Sequence, residues 1–239
     1  MSEIEAKLEM RKLKPEETPQ SLAQEGYNSS AYRYLDWNSS LEDDPRVEWL
    51  QKLFDRLWEN GALDLSTTKA LDLGCGAGSS TLKLAQTCTH VVGVDISSAQ
   101  LELAKTKLKD AGVPSDKYEL LEADMMTPEF ADGCFHAICA FYSIIHLGLN
   151  DQRTLLERIY AWLEPRGLLL FNTAAQASAA EGEVMEGWLG MNAFWASFGQ
   201  KRVLEVVQEI GFETVDSDEI EVEGDSDFTW IIARKPASN

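Results

Sequence analysis

The spacing of apolar residues changes along the chain and divides it into predicted strands and helices. Short runs rich in leucine and β-branched residues have the length of buried strands, and they cover residues 69–73, 90–94, 118–122, 135–140 and 168–173. Between these runs, apolar residues recur every three to four positions, as at Leu101, Ala104 and Leu108, which indicates helices. Alternating strands and helices predict a parallel sheet with helices on both faces.

Two further strands are predicted near the C-terminus. Residues 203–210 form one more amphipathic pattern, which Gly211 ends, and strand-like runs follow at residues 212–222 and 228–233. A turn near Gly224 would make these runs an antiparallel hairpin. The sequence therefore predicts an α/β fold with a doubly wound, mostly parallel sheet of seven strands.

The chain before the first strand predicts an arm, an aromatic segment and a helix. Residues 1–24 are rich in Glu, Lys and Pro, which indicates a mobile arm or a loosely held helix. Residues 26–41 concentrate four aromatic side chains, Tyr27, Tyr32, Tyr34 and Trp37. We expect this aromatic segment to close over a ligand. Asp44 and Pro45 begin an N-terminal helix that Gly61 can end.

A length of 239 residues suits one domain with decorations. We predict a flexible arm and aromatic lid at residues 1–45 and one folded domain at residues 46–239. Residues 174–200 are rich in Ala, Gly and Met and are too long for an ordinary turn. We interpret them as a cap inserted after the fifth strand.

Composition narrows the class of partners. The formal net charge is −19, so the surface repels phosphate backbones and anionic lipid heads, and neither nucleic acid nor a membrane is an expected partner. The four cysteines contain no CxxC pair and the three histidines show no ligand spacing, so we expect no disulfide and no metal. The N-terminal residues lack the apolar stretch of a signal peptide, which favours a cytoplasmic protein. A monomer and a homodimer both fit these features.

A glycine-rich turn carries the sharpest local signal. The strand at residues 69–73 runs into Gly74, Gly76 and Gly78, and a backbone without Cβ atoms can approach a ligand closely. The third glycine stands one position earlier than the dinucleotide pattern G-x-G-x-x-G requires, which argues against a dinucleotide. Asp95 follows the second strand, about 20 residues past the turn, where a carboxylate can accept from both ribose hydroxyls.

Two other strands bring reactive side chains to the same edge of the predicted sheet. Asp124 and Met125 follow the third strand, and the fourth leads into Phe141, Tyr142 and His146. Ligands of open α/β sheets bind at the carboxyl ends of the strands. We therefore expect these side chains and the glycine turn to border one cleft.

This set of motifs resembles the class I S-adenosylmethionine-dependent methyltransferases of the small-molecule type. The resemblance covers roughly residues 69–171, and its motifs occur in the family's order and spacing: Asp72-x-Gly74-x-Gly76-x-Gly78, then Asp95, then Asp124. Residues 163–167 resemble the family's L-x-P-G-G turn. Two positions depart from the pattern, with His136 where an acidic residue is common and Arg166 where glycine is.

The resemblance implies a Rossmann-like fold, S-adenosylmethionine as cofactor and a small-molecule acceptor with an N, O, S or C nucleophile. The glycine turn would line the methionine part of the cofactor, Asp95 the ribose, and Asp124 with the Met125 amide the adenine. An aromatic residue of the N-terminal segment, Tyr27 or Tyr32, would close over it. The implied cofactor-binding set is Tyr27, Tyr32, Asp72, Gly74, Cys75, Gly76, Gly78, Asp95, Ile96, Asp124, Met125 and Phe141.

Methyl transfer from a sulfonium needs positioning and desolvation, and it needs a base only when the acceptor must lose a proton. The catalytic candidates are His146, the one histidine predicted at the ligand edge, and Tyr142. We expect aromatic residues of the lid and cap to hold the acceptor, namely Trp37, Trp188, Phe194 and Trp195. Two alternatives stay open: a cofactor-binding regulatory or scaffold partner of another enzyme, and a cofactor-assisted reaction that transfers no methyl group.

Overall fold

The computed structural model describes residues 9–40, 44–59, 67–179, 181–221 and 227–237. The helices are α1 (Pro19–Ser40), α2 (Pro45–Glu59), α3 (Ser79–Thr87), α4 (Ser98–Asp110), α5 (Leu149–Trp162) and α6 (Gln200–Ile210). The strands are β1 (Glu9–Arg11), β2 (Lys69–Leu73), β3 (His90–Asp95), β4 (Tyr118–Glu122), β5 (Phe135–Ala140), β6 (Leu163–Ala174), β7 (Glu183–Trp188), β8 (Met191–Trp195), β9 (Glu213–Ile220) and β10 (Phe228–Arg234). Single turns of 3-10 helix lie at Ser115–Lys117 and Ile144–His146.

A seven-stranded sheet forms the centre of the fold, as predicted. Its order is β4-β3-β2-β5-β6-β10-β9, with β4 to β6 parallel and β9 and β10 antiparallel. β6 begins earlier than residue 168 because Leu163 already pairs with Phe135 of β5. The strand order changes direction between β2 and β5, and the carboxyl ends of these two strands border the crevice where such sheets bind ligands.

Two clusters of buried apolar side chains hold helices on the two faces of the sheet. α5 and α6 cover one face through side chains that include Leu155 and Val206. α2 and α3 cover the other through side chains that include Leu53 and Leu84. Because both faces are covered, the central strands are mostly apolar, which is the pattern visible in the sequence, and the buried Asp72 of β2 is an exception.

Helix α2 begins at the predicted residue. The Asp44 carboxylate accepts a hydrogen bond from the backbone N of Arg46 at 3.0 Å, and Pro45 occupies the position that needs no donor. The predicted end of this helix at Gly61 and the predicted turn at Gly224 lie outside the described residues.

The N-terminal segment is more regular than its composition predicts. α1 runs for 22 residues and includes both the end of the predicted arm and the four aromatic residues of the lid. Residues 9–11 form a short strand and residues 19–24 belong to α1, so this part of the predicted arm has regular structure, and a helix was one of its two expected forms. Thr18 and Ser21 begin the helix by reciprocal bonds of 3.0 Å, each hydroxyl accepting from the other residue's backbone N.

The predicted cap at residues 174–200 contains a β-hairpin. β7 and β8 pair antiparallel, and β1 joins β7 as a third strand. α1 packs on β8, and a small buried cluster joins Leu22 of the helix to side chains of the hairpin. Arg33 of α1 also donates a hydrogen bond to the Leu189 carbonyl at 2.6 Å. We call α1 and this three-stranded sheet the roof.

Candidate active site

A cleft lies beneath α1 at the carboxyl ends of β2, β3, β4 and β5. Ten of the predicted site residues border it: Tyr27, Gly74, Gly76, Asp95, Ile96, Asp124, Met125, Phe141, Tyr142 and His146. Gln20, Ala23 and Gln100 also border it, although the sequence did not single them out. The topology therefore brings the ends of four predicted strands to one place.

The three positions of the turn require glycine for different structural reasons. All have φ between +51° and +78°. A Cβ on Gly74 would lie 2.3 Å from Ser143 Cβ, and one on Gly78 would lie 2.9 Å from Ala104 Cβ, so these two allow close packing within the protein. A Cβ on Gly76 would meet nothing nearer than Gln100 Oε1 at 3.8 Å. Gly76 therefore leaves room for a ligand.

Asp95 is held by backbone hydrogen bonds to both of its carboxylate oxygens. Gly76 N donates to Oδ2 and Ser97 N donates to Oδ1, each at 2.8 Å. Burial raises the pKa of Asp95 to about 6, against the effect of these two amides. Each oxygen has a second lone pair. The carboxylate can therefore accept further hydrogen bonds from a ligand in the cleft.

Asp72 lies beneath the glycine turn and does not border the cleft. Its side chain is fully buried, and Oδ2 accepts from Ser80 Oγ at 2.8 Å and from Thr81 Oγ1 at 2.6 Å. Burial raises the pKa of this carboxyl. Asp72 thus connects β2 to the first turn of α3. Cys75, also predicted to contact the cofactor, is buried and borders a smaller cavity on the other side of the turn.

His146 is buried and bonded through both ring nitrogens. Nδ1 lies 2.9 Å from the Phe194 carbonyl oxygen, and Nε2 lies 2.9 Å from Tyr27 Oη. A carbonyl only accepts, so Nδ1 carries the proton. Burial lowers the pKa of His146, which leaves Nε2 unprotonated and makes the Tyr27 hydroxyl its donor. This Tyr27–His146 pair joins α1 to the turn after β5.

Tyr142, the second predicted catalytic residue, packs against aromatic side chains of β10. Its ring packs edge-on against Phe228 and Trp230, with centroids 4.8 and 5.7 Å away. Its backbone has φ of +52°, and its N donates to Asn172 Oδ1 at 2.6 Å. Tyr142 borders the cleft in a strained conformation that redirects the chain after β5.

The predicted acceptor-binding tryptophans pack on one another outside the cleft. The Trp188 ring centroid lies 5.5 Å from that of Trp37, 6.0 Å from that of Tyr34 and 5.7 Å from that of Trp195. Tyr34 borders the cleft and none of the three tryptophans does. They form an aromatic wall behind Tyr34 where α1 meets the hairpin.

Two other predicted contacts also lie away from the cleft. Phe194 is 3% exposed and packs inside the roof, where its carbonyl oxygen bonds His146. Tyr32 is 73% exposed on the outer face of α1. Of the tyrosines in this segment, Tyr27 and Tyr34 border the cleft.

The smaller cavity is bordered by a positively charged side chain, Arg46, that the sequence analysis missed. It shares Gly74, Gly76 and Phe141 with the cleft, and Arg46 borders it. Arg46 is held by Asp44 at 2.8 Å and by the Asn38 side-chain oxygen at 2.7 Å. No sequence motif marks Arg46, because its place depends on how the start of α2 packs beside the turn.

Over the described ranges, no group of three or more His, Cys, Asp or Glu could hold a metal ion. No helix in the same part of the chain is long and apolar enough to cross a membrane. The four cysteines are unpaired, and burial raises the pKa of each thiol. These thiols are therefore poor nucleophiles.

Comparison with known proteins agrees with this geometry. Residues 70–167 match the family model of a methyltransferase domain. The chain is similar to methyltransferase GfsG of Streptomyces halstedii, with 33% identity over 135 residues, which is 56% of this chain and 47% of that protein. The chain spans less than two thirds of the length of this and the next curated relatives.

Two solved structures cover nearly all of the fold. One is the 1,6-didemethyltoxoflavin-N1-methyltransferase of Burkholderia thailandensis with bound 1,6-didemethyltoxoflavin and S-adenosylhomocysteine, at a TM-score of 0.71 and 16% identity over 98% of both chains. The other is the [4+2]-cyclase SpnF, at 0.66 and 20% identity over 94% of this chain and 99% of that one. Likeness at these identities shows the fold alone.

The sheet order is that of a Rossmann-like fold, and the match over residues 70–167 is to a methyltransferase domain. S-adenosylmethionine, the methyl donor that this similarity implies, fits the residues present. Gly76 leaves space where any other residue would place a Cβ, and Asp95 keeps lone pairs for hydroxyl donors.

Proposed function

We propose that the protein transfers a methyl group from S-adenosylmethionine to a small-molecule acceptor bound beside Tyr27 and His146. The observation that carries the proposal is one cleft bordered by the space at Gly76, the Asp95 carboxylate and the Tyr27–His146 pair. The space at Gly76 and the Asp95 carboxylate suit the methyl donor. The Tyr27–His146 pair can take a proton from the acceptor. The Burkholderia thailandensis relative in fold is itself named for a small-molecule acceptor.

In this proposal the donor lies across both cavities. Asp95 accepts from the ribose hydroxyls, and Asp124 with Met125 borders the adenine. The amino-acid end passes Gly76 toward the smaller cavity, where the guanidinium of Arg46 pairs with the donor's carboxylate. Bound S-adenosylmethionine supplies a methyl group on a positively charged sulfur. This sulfur leaves as a neutral thioether and needs no further activation.

The Tyr27–His146 pair provides a route for a proton. An acceptor O–H or N–H gives its proton to Tyr27 Oη, while the hydroxyl proton of Tyr27 passes to His146 Nε2 along their hydrogen bond of 2.9 Å. The Phe194 carbonyl keeps the other ring nitrogen protonated and the ring in place. The attacking atom of the acceptor thereby gains a free electron pair next to the methyl group.

Titration calorimetry with S-adenosylmethionine and S-adenosylhomocysteine tests the donor site. Asp95→Ala is expected to weaken binding about 100-fold, because two hydrogen bonds to a charged acceptor are lost. Asp116→Ala, at an exposed carboxylate, serves as the control and should bind like the wild type. Absence of any binding heat with the wild type would refute the proposed function.

Product mass and kinetics test the chemistry. Against a panel of phenols, carboxylic acids and N-heterocycles, methyl transfer adds one methylene unit to the product. Tyr27→Phe and His146→Gln should each lower kcat roughly 10²- to 10⁴-fold and leave S-adenosylhomocysteine affinity within about threefold. Donor binding with a product of unchanged mass would instead favour a reaction without methyl transfer, the kind of activity named for SpnF.

A further inference from the structure

Gln100 is a buried amide at the edge of the cleft. It belongs to the first turn of α4, is 1% exposed and borders the cleft. Neither Nε2 nor Oε1 has a hydrogen-bond partner among the residues that the structure describes. Buried amides are normally paired, and an unpaired one destabilises the fold. Because Gln100 borders the cleft, a ligand bound there can supply the partners that its amide lacks.

The position of Gln100 indicates which part of a ligand it would meet. Its Oε1 lies 3.8 Å from the point where a Cβ on Gly76 would stand, and the Gly76 amide is bonded to Asp95. Ser97 Oγ accepts from Gln100 N at 3.2 Å and itself donates to Asn28 of α1 at 2.8 Å. The turn that carries Gln100 is thus fixed beside the proposed ribose position.

Asp95 alone cannot pair with all the hydrogen-bonding groups of the ribose hydroxyls. A carboxylate only accepts hydrogen bonds, whereas each ribose hydroxyl also carries lone pairs that need a donor. We propose that Gln100 binds the ribose diol of the methyl donor together with Asp95. Its Nε2 donates to the oxygen of one hydroxyl, and Oε1 can accept from the other. This inference rests on the donor site proposed above.

The test measures ligand affinity and the stability of the unliganded protein in Gln100→Met. Methionine has similar length and no amide, so the melting temperature of the unliganded variant should stay equal or rise. Affinity for S-adenosylhomocysteine should fall about tenfold. The 2′-deoxy and 3′-deoxy analogues of S-adenosylhomocysteine complete a double-mutant cycle. Removing the hydroxyl that Gln100 binds should lower the affinity of the wild type, and this loss of affinity should be smaller in the variant by the same factor.

Gln152 offers a matched control. It is buried like Gln100, but its Nε2 already donates to the carbonyls of Leu147 and Ala196 at 2.9 and 2.8 Å. Gln152→Met should lower the melting temperature and keep S-adenosylhomocysteine affinity within about threefold, because it removes internal bonds only.

Three results would overturn the inference. They are affinity within twofold of the wild type in Gln100→Met, a lowered melting temperature of the unliganded variant, and an unchanged cost for both deoxy analogues. The first two mean that the amide only packs, and the third moves its contact away from the ribose. No binding by the wild type would instead remove the proposed function, so the two failures are distinguishable.

Discussion

Arg166 occupies a backbone conformation that suits glycine. Its φ is +70°, and the next residue, Gly167, could not carry a Cβ without coming within 2.9 Å of the Glu164 carbonyl oxygen. The family's usual pair of glycines at this turn thus has two separate reasons, a left-handed conformation at the first position and a close approach at the second.

Arg166→Gly is expected to raise the free energy of unfolding by about 1 kcal/mol. A non-glycine residue loses ~1–2 kcal/mol in this conformation, and the greater freedom of glycine in the unfolded chain removes part of the gain. Urea denaturation measures the change. Arg153→Gly, inside α5, is the control and should destabilise by about 1 kcal/mol. A less stable Arg166→Gly protein would contradict this explanation.

Asp95 predicts a pH dependence of donor binding. Its pKa is about 6 in the unliganded protein, and hydroxyl donors favour the charged carboxylate, so the pKa falls on binding. Affinity for S-adenosylhomocysteine should therefore be full above pH 6 and weaken up to tenfold per pH unit below it. Calorimetry from pH 5 to pH 8 measures this. The dependence should persist in His146→Gln and disappear in Asp95→Asn.

The sequence predicts the residues that belong to local motifs and misses those that meet across the chain. The glycine turn and Asp95 were predicted from a fixed spacing, and both border the cleft. Tyr27 or Tyr32 was expected to close over the cofactor and His146 to act as a base, but the contact between Tyr27 and His146 spans 119 positions and depends on where α1 docks. Gln100 belongs to no sequence motif. It was singled out because its amide is buried and lacks hydrogen-bond partners among the described residues.

At the scale of elements, strands were easier to predict than the roof. The central strands are buried on both faces and so are mostly apolar. α1 buries a face made of small residues that includes Gly26, Ser30 and Ala31. A Cβ on Gly26 would lie 2.9 Å from Met191 Sδ, so this face is selected for close approach to the hairpin and not for hydrophobicity. Its pattern therefore resembled a polar segment.

The docking of α1 predicts a measurable change in local opening. Asn28 Oδ1 accepts from Ser97 Oγ at 2.8 Å and from the Ala99 amide at 3.2 Å, which fixes the helix to the start of α4. Asn28→Ala should speed amide hydrogen exchange in α1 about fivefold to tenfold, equivalent to ~1 kcal/mol of lost bonding. Ser29→Ala is the control, because that hydroxyl bonds only within α1, to Gly26. Equal exchange in both variants would contradict the assignment.

At the scale of the whole molecule, the charge of −19 should make stability depend on salt. Exposed ion pairs weaken in salt but contribute little each, whereas screening relieves the repulsion among all the unbalanced carboxylates. We expect the free energy of unfolding to rise by about 1–2 kcal/mol between 0.01 M and 0.3 M NaCl. Thermal unfolding in NaCl and in KCl measures this, and the two salts should agree. A fall in stability would show that ion pairs dominate.

The acidic surface has a definite place in the fold. β9 is the edge strand of the large sheet, and its exposed positions include Asp218 and Glu219. Charged residues on an edge oppose pairing with the sheet of another molecule. Asp218 and Glu219 therefore act against edge-to-edge association of two molecules.

Neighbouring residues of α1 hold the helix at two different places, since Tyr27 bonds His146 in the turn after β5 and Asn28 bonds Ser97 after β3. In the proposed reaction the same helix carries one half of the route for the proton. If α1 moves away from the sheet, Tyr27 separates from His146 and the proton has no path, so the docking of this helix and the proposed chemistry are coupled.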